Sequence, residues 1–127
     1  MSRSVLIVDD EADVRSIAQI GIEMGSNWQV ITAESGREAL TLAEYHQPDV
    51  ILLDMMMPDL DGRATLQSLK ANPMTQAIPV ILMTAKARSN HSSGFDELDV
   101  VAVFAKPFRP LQLSAQIRET LGWNETP

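Results

Sequence analysis

A chain of 127 residues is the size of one domain and too short for two ordinary ones, and its 45% hydrophobic content suffices for a core without metal or disulfide staples. It contains no cysteine, which excludes disulfides, thiolate metal sites and a cysteine nucleophile. Ten basic against 17 acidic residues leave a net charge of −7, a balance that repels a phosphate backbone, so direct nucleic-acid binding is not expected.

In chain order, the run Ser4–Val8 reads as a first strand, and its four apolar residues before Asp9 are too few for a secretory signal. Ala12–Gly25 reads as a helix, with Val14, Ile17, Ala18, Ile20 and Gly21 on one apolar stripe. Trp28–Ala33 alternates apolar and polar residues, as an edge strand does. Ser35 and Glu38 form a capping-box pair at the start of a second helix that runs to His46, before Pro48. Asp49–Leu53 is a third strand, and a third helix starts near Gly62 and stops before Pro73. Pro79–Met83 is a fourth strand. Ser89–Leu98 is a fourth helical segment, although Ser92, Ser93 and Gly94 are poor helix formers. Val100–Phe104 is a fifth strand, in an apolar run far short of the ~20 residues that span a bilayer. No membrane insertion is expected, and the location implied is cytoplasmic. Pro110 opens a fifth helix, with Leu111, Leu113, Ile117 and Leu121 inward and Gly122 at its end. Residues 1–122 thus read as one domain and 123–127 as a short tail.

Strict alternation of strand and helix predicts an α/β fold: a doubly wound five-stranded parallel sheet, order 2-1-3-4-5, flavodoxin-like, with helices on both faces. Four of the strands are nearly continuous in Val, Ile, Leu and Met, as a sheet covered on both faces requires. Ligands of such sheets bind beyond the carboxyl ends of strands 1 and 3.

The residues at those ends are acids. Asp9 and Asp10 follow strand 1 and Asp54 follows strand 3, so three carboxylates converge on one crevice. Unpaired, they repel, and at least one carboxyl pKa should rise. A hard cation such as Mg²⁺ relieves this. An Asp pair ahead of a helix also reads as an N-cap; the third carboxylate favours a site. Thr84 ends strand 4 and Lys106 ends strand 5, at the same edge. Singly they read as a strand-end hydroxyl and a surface lysine. Together they offer a hydrogen bond and a positive charge to a phosphoryl group. A carboxylate nucleophile, a cation and two oxyanion partners, with no histidine or cysteine in place, suit phosphoryl transfer to Asp54.

The segments VLIVDDE, VILLDMMMPDLDG, VILMTAKA and FAKPF together resemble the receiver domains of two-component response regulators, from about Ser4 to Leu121. The separations agree as well: 44 residues from Asp10 to Asp54, 30 to Thr84 and 22 to Lys106. The resemblance implies that Asp54 is the phosphoacceptor. It implies that Asp9, Asp10, Asp54 and the backbone carbonyl of Met56 hold Mg²⁺. The Thr84 hydroxyl and the Ala85 backbone amide would contact the phosphoryl oxygens, Lys106 would pair with the phosphate, and the Lys106–Pro107 bond would be cis. Pro58, Asp61 and Gly62 match the loop after the acceptor. The implied function is a self-phosphorylating and self-dephosphorylating signalling domain rather than a conventional enzyme. It would be phosphorylated by a histidine kinase or phosphotransfer protein and would switch binding to a downstream protein target. One position departs from the family: Val103 stands where an aromatic residue is usual, and Phe104 points to the opposite sheet face. Phosphorylation is therefore expected to act through the loops around Asp54 and Thr84.

Three other readings compete. A phosphatase of the haloacid dehalogenase type needs a second Asp two residues after the nucleophile, where this chain has Met56. A flavodoxin-like cofactor binder needs Ser, Thr and Gly amides after strand 1, where Asp9, Asp10 and Glu11 repel phosphate. A phosphorylation-independent interaction module is disfavoured by the complete acceptor site and favoured by Val103. The Met55–Met57 run reads as core filler rather than a soft-metal site. Lys86, Arg88, Lys106 and Arg109 form either a partner surface or a solvated basic face. Met1 and the short tail suggest a stand-alone regulator.

Overall fold

The computed structural model describes residues 3–58, 60–85 and 98–123. Five strands form one parallel sheet: β1 (Ser4–Val8), β2 (Gln29–Ala33), β3 (Val50–Asp54), β4 (Val80–Thr84) and β5 (Ala102–Ala105). The order is β2-β1-β3-β4-β5, as the alternation predicts. Strand register carries the side-chain period across the sheet, with Leu6 beside Ile51 and Ile51 beside Val80. Leu6, Val8, Ile51, Leu53, Val80 and Leu82 consequently share one face. Ala39 and Ala43 of α2 (Gly36–His46) and Leu66 and Leu69 of α3 (Gly62–Ala71) cover it. Val5, Ile7, Val50, Leu52, Ile81 and Met83 share the other face. Ala18 and Ile22 of α1 (Ala12–Gly25) and Leu113 and Ile117 of α4 (Leu113–Leu121) cover that one. Every residue of β3 and β4 is buried, which accounts for their unbroken apolar runs.

The strand limits shift by a residue or two from those expected. Asp54 closes β3 rather than following it, because the ladder continues through the Met55 amide to the Met83 carbonyl at 3.1 Å, while Thr84 ends β4 as expected. The stripe expected on α1 is only partly buried. Ile17 and Ile20 are about half exposed, and Ile22 is the fully buried isoleucine. The face turned inward runs instead through Ala18, Gly21 and Ile22. Gly21 is required there: a Cβ on it would overlap the Pro110 carbonyl oxygen, so no larger residue permits this approach. The expected fifth helix is a 3-10 turn, Pro110–Gln112, followed by α4. The tighter winding of that turn rotates Leu111 off the helical stripe, and it lies exposed while Leu113 and Ile117 are buried. The fourth helical segment expected at Ser89–Leu98 falls outside the described residues apart from Leu98.

The capping box forms with one change. The Glu38 amide donates to Ser35 Oγ at 3.1 Å, while the Glu38 carboxylate accepts from the Glu34 amide at 2.7 Å rather than from that of Ser35. α2 ends at Gln47 in the left-handed region, φ 50°. Its side-chain amide donates to the carbonyls of Ala43, Glu44 and Met74, which offsets the backbone cost. At the opposite end of the sheet from Asp54, Trp123 packs edge-on against Trp28 with centroids 5.1 Å apart, beneath the Arg3 guanidinium. Trp123, the first residue of the expected tail, is thus part of the packed domain.

Candidate functional site

β1 and β3 are hydrogen-bonded neighbours with Val8 opposite Leu53, so the residues that leave β1 emerge beside the end of β3. Asp9 is fully buried, Asp54 nearly so, and Asp10 is exposed. One carboxylate oxygen from each lies within 4.8 Å of the others. The three acids expected to converge therefore do so. They are not unpaired, however: the Lys106 ammonium sits between two of them, 3.0 Å from Asp9 Oδ2 and 3.3 Å from Asp54 Oδ1. It also lies 3.9 Å from Glu11 Oε1.

The turn after β1 is held by its own atoms. The Asp9 amide donates to the Ala33 carbonyl at 3.1 Å, and Asp9 Oδ1 accepts from the Glu11 amide at 2.9 Å. Glu11 is the N-cap residue of α1 and makes no side-chain capping bond, so neither aspartate caps that helix. After β3, the Gly62 amide donates to the Met55 carbonyl at 3.0 Å, and Asp61 caps α3 by accepting from the Ala64 amide at 2.8 Å. The Met56 carbonyl is left without a partner among the described residues, and its amide points back to Asp54 Oδ1 at 3.4 Å. Met55 and Met57 are buried as core filler while Met56 is exposed. Thr84 is buried at the end of β4, and its carbonyl accepts from the Lys106 amide at 3.0 Å. That bond ties the two oxyanion candidates together. Ala85 follows in an exposed turn. The Lys106–Pro107 bond is cis.

Burial and then the charge of Asp9 push the Asp54 carboxyl up from 3.8 to about 6, against the lowering pull of Lys106 and the Met56 amide. For Lys106, burial alone would lower the pKa. The hydrogen bond to Asp9 and the charges of Asp54 and Asp9 outweigh it and hold the ammonium above its ordinary value. The site is thus a buried carboxylate with a fixed cation alongside and an open acidic mouth at Asp10.

Val103 and Phe104 pack on opposite faces of the sheet, Val103 toward the α2–α3 side and Phe104 toward the α1–α4 side, as the strand period requires. Arg109 is exposed, and Lys86 and Arg88 lie outside the described residues. Arg15 is a contributor that motif spacing does not reveal. Its guanidinium donates to the Asp9 carbonyl at 2.7 Å. A signal was present: a cation in the first turn of a helix opposes the macrodipole and needs another reason to be there.

Comparison with known proteins agrees with this geometry. Residues 5–118 match the family model described as "Response regulator receiver domain". The chain is 34% identical over 125 residues to the alkaline phosphatase synthesis transcriptional regulatory protein PhoP of Bacillus subtilis, covering 98% of this chain and 51% of that one. It is 32% identical to the phosphate regulon transcriptional regulatory protein PhoB of Pseudomonas aeruginosa, covering 95% and 52%. The chain thus spans about half the length of the curated relatives it matches. Among solved structures, the N-terminal domain of a response regulator receiver protein from Methanoculleus marisnigri superposes with a TM-score of 0.76 at 33% identity, covering 94% of this chain and 96% of that one. The chemotaxis protein CheY4 of Vibrio cholerae shares the fold, with a TM-score of 0.84 at 24% identity and coverage of 94% and 99%.

Proposed function

The chain belongs to the response regulator receiver domain family, and from that premise we propose that Asp54 accepts a phosphoryl group in a Mg²⁺-dependent reaction. Receiver domains are the phosphorylation-switched modules of two-component signalling, not members of a conventional enzyme family. The observation that supports the assignment is the clustering of Asp9, Asp10 and Asp54 with the Lys106 ammonium 3.3 Å from Asp54.

The donors fit a hard cation. They are carboxylate oxygens within 4.8 Å of one another, with no histidine or cysteine among them. Asp9, Asp10 and Asp54, with the Met56 carbonyl, would hold Mg²⁺. The bound cation would offset negative charge on the incoming phosphoryl group. The chain's own residues do the rest. At pH 7 a carboxyl with a pKa of about 6 is mostly ionised, so Asp54 presents a nucleophile. One of its oxygens forms the new bond to phosphorus as the donor's bond to phosphorus breaks and the leaving group departs. Lys106 already stands 3.3 Å from Asp54 Oδ1, where its ammonium would neutralise the phosphoryl charge. The Thr84 hydroxyl and the Ala85 amide would complete the oxyanion contacts.

The phosphodonor would be a histidine kinase or phosphotransfer protein, and the read-out a changed affinity for a downstream protein. Incubation with acetyl phosphate and Mg²⁺ should add one phosphoryl group by intact-mass spectrometry, and none in EDTA. Asp54→Asn should abolish the adduct. Labelling of that variant to the parent's extent would refute the assignment.

A further inference from the structure

Arg15 lies in the first turn of α1, where its charge faces the positive end of the helix macrodipole. Its side chain is 18% exposed and, among the described residues, makes two polar contacts of unequal weight. The contact to Glu34 spans 3.9 Å to a carboxylate that is 71% exposed, a geometry that contributes little. The other is a charge-assisted hydrogen bond of 2.7 Å to the Asp9 carbonyl. That carbonyl belongs to the peptide joining Asp9 to Asp10, the two acids of the cluster that come from one turn. The remaining bonds of the turn involve the Asp9 amide and Oδ1; the carbonyl is held by Arg15.

We propose that Arg15 is a positioning residue for the cation site: by fixing the Asp9–Asp10 peptide it sets the direction in which both carboxylates leave the turn. The proposal rests on the reading of these acids as Mg²⁺ ligands. Charge alone predicts the opposite sign. Removing a cation this close to the site strengthens the attraction for Mg²⁺ and tightens binding by a few-fold at most in a solvated setting. Losing the strut weakens binding, by roughly tenfold if this support matters as much as other outer contacts to metal ligands.

Calorimetric titration of the full chain with MgCl₂ alone, without phosphodonor, separates the two. Arg15→Gln should bind Mg²⁺ roughly tenfold more weakly. Its Glu11 amide, which donates to Asp9 Oδ1, should exchange faster than the parent's in metal-free buffer. Arg15→Lys keeps the charge on a shorter side chain that lacks the guanidinium donor now 2.7 Å from the Asp9 carbonyl, and should also weaken binding; it carries the test if Arg15→Gln does not fold. Unchanged or tighter binding in the folded variants, with the parent binding normally, would overturn the positioning role alone. A parent chain that binds no Mg²⁺ would overturn both this role and the reading beneath it.

Discussion

Burial and the charge of Asp9 displace the Asp54 carboxyl pKa upward, and that displacement makes stability depend on pH. The carboxyl titrates at about 6 in the fold against 3.8 as the ordinary value, so between those limits the folded chain binds the extra proton. Stability from this group is therefore complete below about pH 3.8 and is lost as pH rises through 6. A displacement of that size is worth on the order of 3 kcal/mol for a group this well buried. In EDTA, Asp54→Asn should unfold at higher urea than the parent at pH 8, with the gap closing toward pH 4. A gap that does not change with pH would contradict the account. The repulsion itself was legible in the sequence, since three acids at two neighbouring strand ends must raise some pKa. Its relief by Lys106 was not, because that pairing depends on how far one flexible side chain reaches across two strands.

Between elements, closeness is set by small residues more than by large apolar ones. α1 comes down on the 3-10 turn at Gly21, where a Cβ would overlap the Pro110 carbonyl and approach its ring carbon at 2.8 Å. Backbone atoms cannot rotate away, so Gly21→Ala should force the helix off the turn. It should cost about 1–3 kcal/mol despite alanine's better helix propensity, as read by thermal or urea melts. Element types were readable because short, nearly continuous apolar runs alternate with longer segments of 3.6-residue period. The orientation of α1 was not. The expected stripe of Val14, Ile17, Ala18, Ile20 and Gly21 reads as well on paper as Ala18, Gly21 and Ile22, and packing against the sheet, α4 and Pro110 selects the second. Leu111 was misplaced for a related reason, since proline starts either winding and the tighter one turns its neighbour outward.

On the scale of the whole molecule, parallel strands give the sheet two unlike ends. The carboxyl ends gather the acids, Thr84 and Lys106, and this polarity is why four scattered motifs could be joined into one site from the sequence alone. The amino ends gather something that spacing could not reveal, the edge-on pair of Trp28 and Trp123 beneath Arg3. These are the chain's only two tryptophans. A five-residue strand separates the two ends by roughly 15 Å. The indoles are thus an optical reporter placed away from the chemistry. Their emission should shift sharply when the domain unfolds and should stay flat, within a few percent, when Mg²⁺ or acetyl phosphate is added to the folded protein. A large quench on adding either would mean that a change at the acidic end is felt through the full length of the sheet. A silent signal would make tryptophan emission a stability gauge that is uncontaminated by the state of Asp54.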